Sequence, residues 1–280
     1  MAVRAFISVD LEGLPYVVSR EHLLVKGTLY NEARKIATRL VKATADALHE
    51  NGFDEIVIAD SHGPMVNVVP EEMPEYVELV RGFPRPLSMV AFAKGSDMAL
   101  FIGYHAKAGT AYATFDHTYS GATIDRIEIN GIEVSEFLMN AMLLGEWGIP
   151  LGVLAGDEAL QKDAEMTPWV EFVPLKRASG RYSAISPSLP RIEASIREAI
   201  GRAIRKLERG ELRPLEVKKP MNVRVRFLNS AHAEVAELLP FVERVDGKTV
   251  AFRAESVEDA YKVIEVLVFA AAGVNYIVSR

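Results

Sequence analysis

Through the first half of the chain, short apolar runs that end on acidic or histidine-bearing turns alternate with amphipathic helical stretches, which restricts the fold to the parallel α/β class. Ala5–Val9 is rich in β-formers and runs directly into Asp10. From Asn31 to Asn51 the apolar residues Ile36, Leu40, Val41, Ala45 and Leu48 recur at helical spacing, and Gly52 follows as a stop. Glu55–Ala59 predicts a second strand, ending at Asp60-Ser61-His62-Gly63, and Met98–Ile102 a third, ending at Gly103-Tyr104-His105. Asn130-Gly131 supplies the positive-φ pair of a tight turn, so 127–134 reads as a hairpin. Ser135 is placed to cap a helix reaching Trp147, Pro150–Ala155 reads as another strand, and a long helix covers Ser188–Glu208.

Arg213–Pro220 is a charged connector bounded by prolines, and beyond it the pattern changes to a strand, a short helix, a hairpin around Asp246-Gly247 and a helix over 257–272. We therefore expect an α/β domain over residues 1–212, with a smaller α+β subdomain, 213–280, packed on it.

The net charge of −6 offers no basic excess to neutralise phosphates, so no nucleic-acid partner is expected. No apolar run is read as reaching the roughly 20 residues of a membrane span, and the N-terminus lacks the pattern of a secretory signal. The expectation is a cytoplasmic protein with no membrane partner. With no cysteine in the chain, a metal would have to be held by imidazole and carboxylate.

The chemistry lies in where such groups fall. Ligands of open α/β sheets bind outside the carboxyl ends of the strands, and Asp10, His62 and His105 each follow an expected strand within three residues. Asp10 and Glu12 are two apart, so extended backbone would point both carboxylates to one side. Glu136, at the start of the helix after the hairpin, adds a further donor. The mixture suits zinc, with manganese or cobalt as substitutes. A carboxylate shared by two ions about 3.5–4 Å apart is a common hydrolytic arrangement, which binds a hydroxide at neutral pH and polarises a scissile carbonyl. Singly, each residue has a plainer use: Asp10 as a turn cap, His62 as turn chemistry, His105 as a core histidine, Glu136 as a complement to a helix dipole, and His117 as part of a polar surface loop. Their shared position at strand ends favours a metal site.

Ser8-Val9-Asp10-Leu11-Glu12-Gly13 resembles the Ser-x-Asp-x-Glu-Gly signature of the zinc-dependent D-aminopeptidase family. The likeness continues through Asp60-Ser61-His62, Ser88-Met89-Val90, the segment from Leu100 to Ala106, Ile129-Asn130 to Glu136, Asn140-Ala141 and Ala155-Gly156-Asp157, and reaches Ala233-Glu234 and Pro240. The resemblance implies a three-layer α/β/α fold with a mostly parallel mixed sheet, and two zinc ions per chain. Asp10 would bridge them, Glu12 and His105 completing one site and His62 and Glu136 the other. His117 matches the family's catalytic histidine. The implied activity is release of an N-terminal D-amino acid from short peptides by attack of a metal-bridging hydroxide, in a homo-oligomer that forms a decameric ring. Two segments depart from the family pattern, Leu14-Pro15-Tyr16-Val17 and Phe115-Asp116-His117-Thr118-Tyr119, and both fall where substrate side chains would sit. Competing readings are another metal-dependent amidase or hydrolase, since a ligand set does not dictate the scissile bond, and a non-catalytic cytosolic dipeptide-binding protein.

Overall fold

The computed structural model describes residues 3–279. Twelve strands fall into two sheets among these residues. The first holds β1 (Arg4–Val9), β2 (Glu55–Asp60), β3 (Val77–Val80), β4 (Met98–Tyr104), β7 (Leu151–Asp157), β8 (Glu171–Gly180) and β9 (Ser183–Ile185), in the order β3-β2-β1-β4-β7-β8-β9. All its pairings are parallel except β8 with β9. The second is antiparallel: β5 (Ile124–Ile129), β6 (Ile132–Glu133), β10 (Met221–Phe227), β11 (Glu243–Arg244) and β12 (Thr249–Ala254), in the order β11-β12-β10-β5-β6. The 124–133 hairpin thus joins the strands that follow residue 220, with Asn130 and Gly131 at the positive φ their turn requires.

The central parallel strands are buried on both faces, which is why they read as unbroken apolar runs. Along β1, Ala5, Ile7 and Val9 pack towards α2 (Tyr30–Glu50) and α5 (Leu189–Glu208), while Phe6 turns to the opposite core. β4 alternates likewise, with Leu100 and Ile102 on the α2/α5 side and Ala99 and Phe101 on the other. On that other side α3 (Glu136–Glu146) packs on β4 and on α7 (Val257–Val278), and α7 in turn packs on β10 and β12. The result is an α/β fold whose mostly parallel sheet carries helices on both faces. Three short helices complete it: α1 (Arg20–Leu23), α4 (Gln161–Ala164) and α6 (Ser230–Ala236).

α7 corrects one expectation. At 22 residues it is long and apolar enough, by length and composition, to cross a membrane, and it runs past Gly273, well beyond residue 272. Val257, Ala260, Tyr261, Ile264, Leu267 and Ala271 are buried against the protein.

Register sets the position of the site. Val9 pairs with Asp60 on one side and Ile102 on the other, so the residues after β1, β2 and β4 leave the sheet at one edge. There the Asp10 N–H donates to the Ile102 carbonyl (2.9 Å) and the Gly13 N–H to the Gly103 carbonyl (2.7 Å). A Cβ on Gly13 would overlap the Tyr104 carbonyl, and one on Gly103, whose φ is +77°, would overlap the Asp10 carbonyl. Only glycine permits this approach, and it brings Glu12 beside the end of β4.

Candidate metal centre

The structure brings the six sequence-assigned residues to this edge, and all six lie within residues 1–212. Asp10 and Glu12 sit on the turn after β1, His62 two residues after β2, and His105 directly after β4. Glu136 opens α3 behind the N-cap Ser135, where the helix dipole favours its charge. His117 arrives on the long loop between β4 and β5.

His62 Nδ1 is 2.7 Å from Glu12 Oε2 and 3.4 Å from Asp10 Oδ1. His105 Nε2 is 3.4 Å from Asp10 Oδ2 and 3.5 Å from Glu136 Oε1, and His117 Nε2 is 3.3 Å from the same Glu136 oxygen. The His105 and His117 rings stack at 4.2 Å. Donor atoms of Asp10, Glu12 and His105 lie within 4.8 Å of one another, and so do those of His105, His117 and Glu136. Glu136 is thus drawn to His105 and His117, and His62 to Glu12 and Asp10. Of the six side chains His117 is the most accessible, at 19%, so the centre opens beside it.

Each histidine is oriented by its outer nitrogen. His62 Nε2 reaches the Leu23 carbonyl at 2.9 Å, His105 Nδ1 the Ala106 carbonyl at 3.0 Å, and His117 Nδ1 the Phe115 carbonyl at 2.8 Å. When those nitrogens donate to the carbonyls, the inward nitrogens present lone pairs, as in metal sites where an outer hydrogen bond fixes the tautomer.

The electrostatics call for a cation. Burial alone would lower the pKa of His62 and His105, yet the surrounding carboxylates raise both, His105 to about 10. Without a metal, protons occupy the places of positive charge. Burial and Glu12 raise Asp10 all the same, while burial of Glu12 and Glu136 is outweighed by the histidines and both are lowered. His117 is lowered by burial and by His105. Among the described residues His105 Nε2 is buried with the Asp10 and Glu136 oxygens near it but with no well-formed hydrogen bond, an expensive state for a polar atom. A divalent ion among these imidazoles and carboxylates would satisfy it, so the donor set fits zinc.

The sequence motifs include Ser8, Asp60, Tyr104, Asn140 and Asp157 with no role assigned to them, and sequence reasoning missed Lys176; these groups hold the six side chains. Asp60, the first residue of Asp-Ser-His, accepts from the Asn67 and Val68 N–H groups (2.5 and 2.8 Å), and Asn67 donates to the His62 carbonyl (2.8 Å). Tyr104, Ser8, Ser61 and Asn140 form a buried chain of hydrogen bonds beneath the centre, and Tyr119 and Tyr261 extend it. Asp157 accepts from the backbone and hydroxyl of Thr114 (2.8 and 2.6 Å), tying the His117 loop to β7. Lys176, only 1% exposed, donates from Nζ to the Glu12 carbonyl (2.5 Å) and the Val17 carbonyl (2.7 Å). The Asp157 signal was on view in Ala155-Gly156-Asp157; nothing local marks Lys176. The remaining histidines are engaged elsewhere: His22 in the cap of α1, His49 stacked on Tyr76, and His232 hydrogen-bonded through Nε2 to Asn275 Oδ1.

The family model described as D-aminopeptidase matches residues 3–266. A curated D-aminopeptidase of Bacillus subtilis (strain 168) is 27% identical over 271 residues, covering 95% of this chain and 96% of its own length. Among solved structures, the Zn-dependent D-aminopeptidase DppA from Bacillus subtilis, described as a self-compartmentalizing protease, superposes with a TM-score of 0.91 at 27% identity, over 96% of this chain and 98% of that one.

Proposed function

The chain belongs to the D-aminopeptidase family and is a metallo-aminopeptidase by that membership, and from this premise we propose that it removes the N-terminal residue, a D-amino acid, from short peptides at a centre of two zinc ions. Asp10, Glu12, His62, His105 and Glu136 would hold the ions, with Asp10 shared. When bound, the pair supplies activation of water at neutral pH and polarisation of the scissile carbonyl.

The chain's own groups do the rest. His117 Nε2 faces the centre at its open side, and its lowered pKa keeps the imidazole neutral near pH 7, able to take a proton and return it to the departing amine. The Phe115 carbonyl fixes the tautomer that leaves Nε2 bare. Asp60, Asp157 and Lys176 hold the three loops that carry Glu12, His62 and His117, so the geometry is set before substrate arrives.

The observation that carries this reading is the buried Nε2 of His105, held between the carboxylates of Asp10 and Glu136 at 3.4 and 3.5 Å with no well-formed hydrogen bond among the described residues, at the carboxyl edge of the parallel strands. The test is metal analysis of the purified protein, with hydrolysis of D- and L-aminoacyl amides before and after chelation. About two zinc ions per chain, with D-selective activity restored by added Zn²⁺, support it. Full activity in metal-free protein refutes it. Following the family resemblance and the self-compartmentalizing relative, we further propose that the chains assemble as a homo-oligomeric ring that admits only short peptides.

A further inference from the structure

Two cavities share residues with the metal centre, and they differ in chemistry. One, of 390 Å³, includes Glu12 and His117 and carries two cations, Arg20 and Arg181. Arg181 is paired with Asp116, whereas the Arg20 guanidinium has no ion pair among the described residues. The other, of 440 Å³, reaches the centre through Glu136 and Tyr119, and its walls are otherwise chiefly apolar: Met65 and Met89 from loops after β2 and β3, and Ile264, Val268 and Phe269 from α7. Glu265 is the second carboxylate in its wall.

We propose that this second cavity receives the side chain of the substrate's N-terminal residue, and that the substrates are short peptides whose N-terminal residue is large and apolar, of leucyl or phenylalanyl size. The proposal rests on the aminopeptidase reading above. Continuity is the first argument: Glu136 belongs both to the histidine cluster and to the cavity wall, so a residue bound at the centre has this space beside it. Size is the second. The volume falls in the range of about 300–1,000 Å³ of small-molecule sites, and a methyl group would leave most of it empty. Charge orients the peptide. The free ammonium belongs by Glu265, whose Oε1 is buried without a hydrogen bond among the described residues, and the chain's carboxylate end belongs by Arg20.

The backbone of this wall is partly left-handed, as it also is at six other non-glycine residues among the described residues. Three residues of its wall, Met65 (φ +57°), Ser88 (φ +37°) and Tyr119 (φ +58°), hold left-handed backbone although each carries a side chain. Such conformations are unfavourable outside glycine, so the loops that form this wall are held in place by their surroundings. The two methionines supply walls that adapt to differently branched side chains.

The experiment is kcat/KM of the zinc-loaded protein on alaninamide, leucinamide and phenylalaninamide of both hands, for wild type, Val268→Trp and Val268→Ala. Each methylene well seated in an apolar pocket changes kcat/KM by about 10–200-fold, so wild type should prefer leucinamide to alaninamide by at least about tenfold. Val268→Trp, which fills the cavity, should collapse that ratio. Val268→Ala, which enlarges it, should shift preference from leucinamide towards phenylalaninamide, and it keeps the test open should the tryptophan variant misfold. Alaninamide turned over as well as or better than the larger amides overturns the proposal while leaving the aminopeptidase reading intact. Unchanged ratios in the folded variants also overturn it, and a change of oligomer size alone would assign the cavity to contacts between chains. If no amide of either hand is cleaved, the aminopeptidase reading fails and the proposal with it.

Discussion

Asp10 Oδ2 stands 3.4 Å from His105 Nε2, and the same carboxylate turns its other oxygen to His62, also at 3.4 Å. One side chain therefore addresses two imidazoles from two different strand ends. Such divergence is what a carboxylate shared between two ions requires. Asp10→Ala should lower occupancy of both metal sites, whereas Glu12→Ala and Glu136→Ala should each weaken mainly one. Metal content of the three variants, measured beside wild type, checks this. Retention of both ions by Asp10→Ala would remove the bridging role.

Metal uptake should release protons. Burial disfavours charged His62 and His105, but Glu12, Asp10 and Glu136 outweigh it, raising both above the ordinary histidine value near 6.5, His105 to about 10. In metal-free protein at pH 7 both are imidazolium, and a ligand histidine must be neutral. Binding of zinc should then expel about one proton per histidine, and affinity should rise with pH. The same shifts give the metal-free fold a contribution to stability that is full below about pH 6.5. That contribution is lost as pH rises through about 10 for His105. Calorimetric zinc titrations in buffers of different ionisation enthalpy measure the proton count. No release at pH 7 would mean that the histidines were already neutral.

Lys176 should matter more than a surface lysine could. Its burial lowers the pKa to about 8, partly offset by Asp157 and Glu12, and its ammonium satisfies two backbone carbonyls of the turn that carries Glu12. Lys176→Met strands both acceptors, at a cost on the order of 1–3 kcal/mol for each. A lower melting temperature and weaker zinc binding are expected together. Loss of stability with unchanged zinc affinity would limit the residue to a packing role.

The strands that end at the centre were legible because burial on both faces made them apolar throughout, and because Asp10, Asp60 and Tyr104-His105 break each run where it leaves the sheet. β3 and β8 were not. β3 is a four-residue edge strand, and β8 carries Pro174, Lys176 and Arg177, whose pattern resembles a loop until the carbonyls that receive Lys176 are known. The 124–133 hairpin was readable from Asn130-Gly131, but its pairing with β10 joins residues about one hundred positions apart, and no local pattern encodes that. His117 presents a similar case. Its approach to Glu136 depends on a loop held by Asp157 and Thr114, so only the family resemblance singled it out.

Assembly should be visible in solution. Along α7, Val266 is about half exposed, and Ile277 and Val278 about 70% exposed. Apolar surface of that kind commonly marks an interface. A large oligomer, ten chains by the family resemblance, is the expected state. Light scattering that shows a monomer at micromolar concentration would refute it.

His117 gives the sharpest test, because its position admits two roles with different outcomes. Its Nε2, with those of His105 and a Glu136 oxygen, forms a group close enough to share an ion. Yet its side chain is the most open of the six, and its ring stacks on His105 and lines an open cavity with Glu12. Burial and His105 lower its pKa, so near pH 7 it is neutral and can accept a proton from the attacking water, while the Phe115 carbonyl keeps Nε2 directed inwards. As an acid–base group it should leave metal binding intact: His117→Ala keeps both ions and the fold while kcat falls by about 10²–10⁴-fold. The acid limb of wild-type activity should then lie below the ordinary histidine value, because protonation of a depressed histidine requires lower pH, and His117→Ala should abolish that limb. The measurements are zinc content, kcat and its pH profile on one aminoacyl amide. Loss of one zinc ion would make His117 a ligand, whereas near-normal kcat with both ions present would leave proton transfer to solvent at the open edge of the centre.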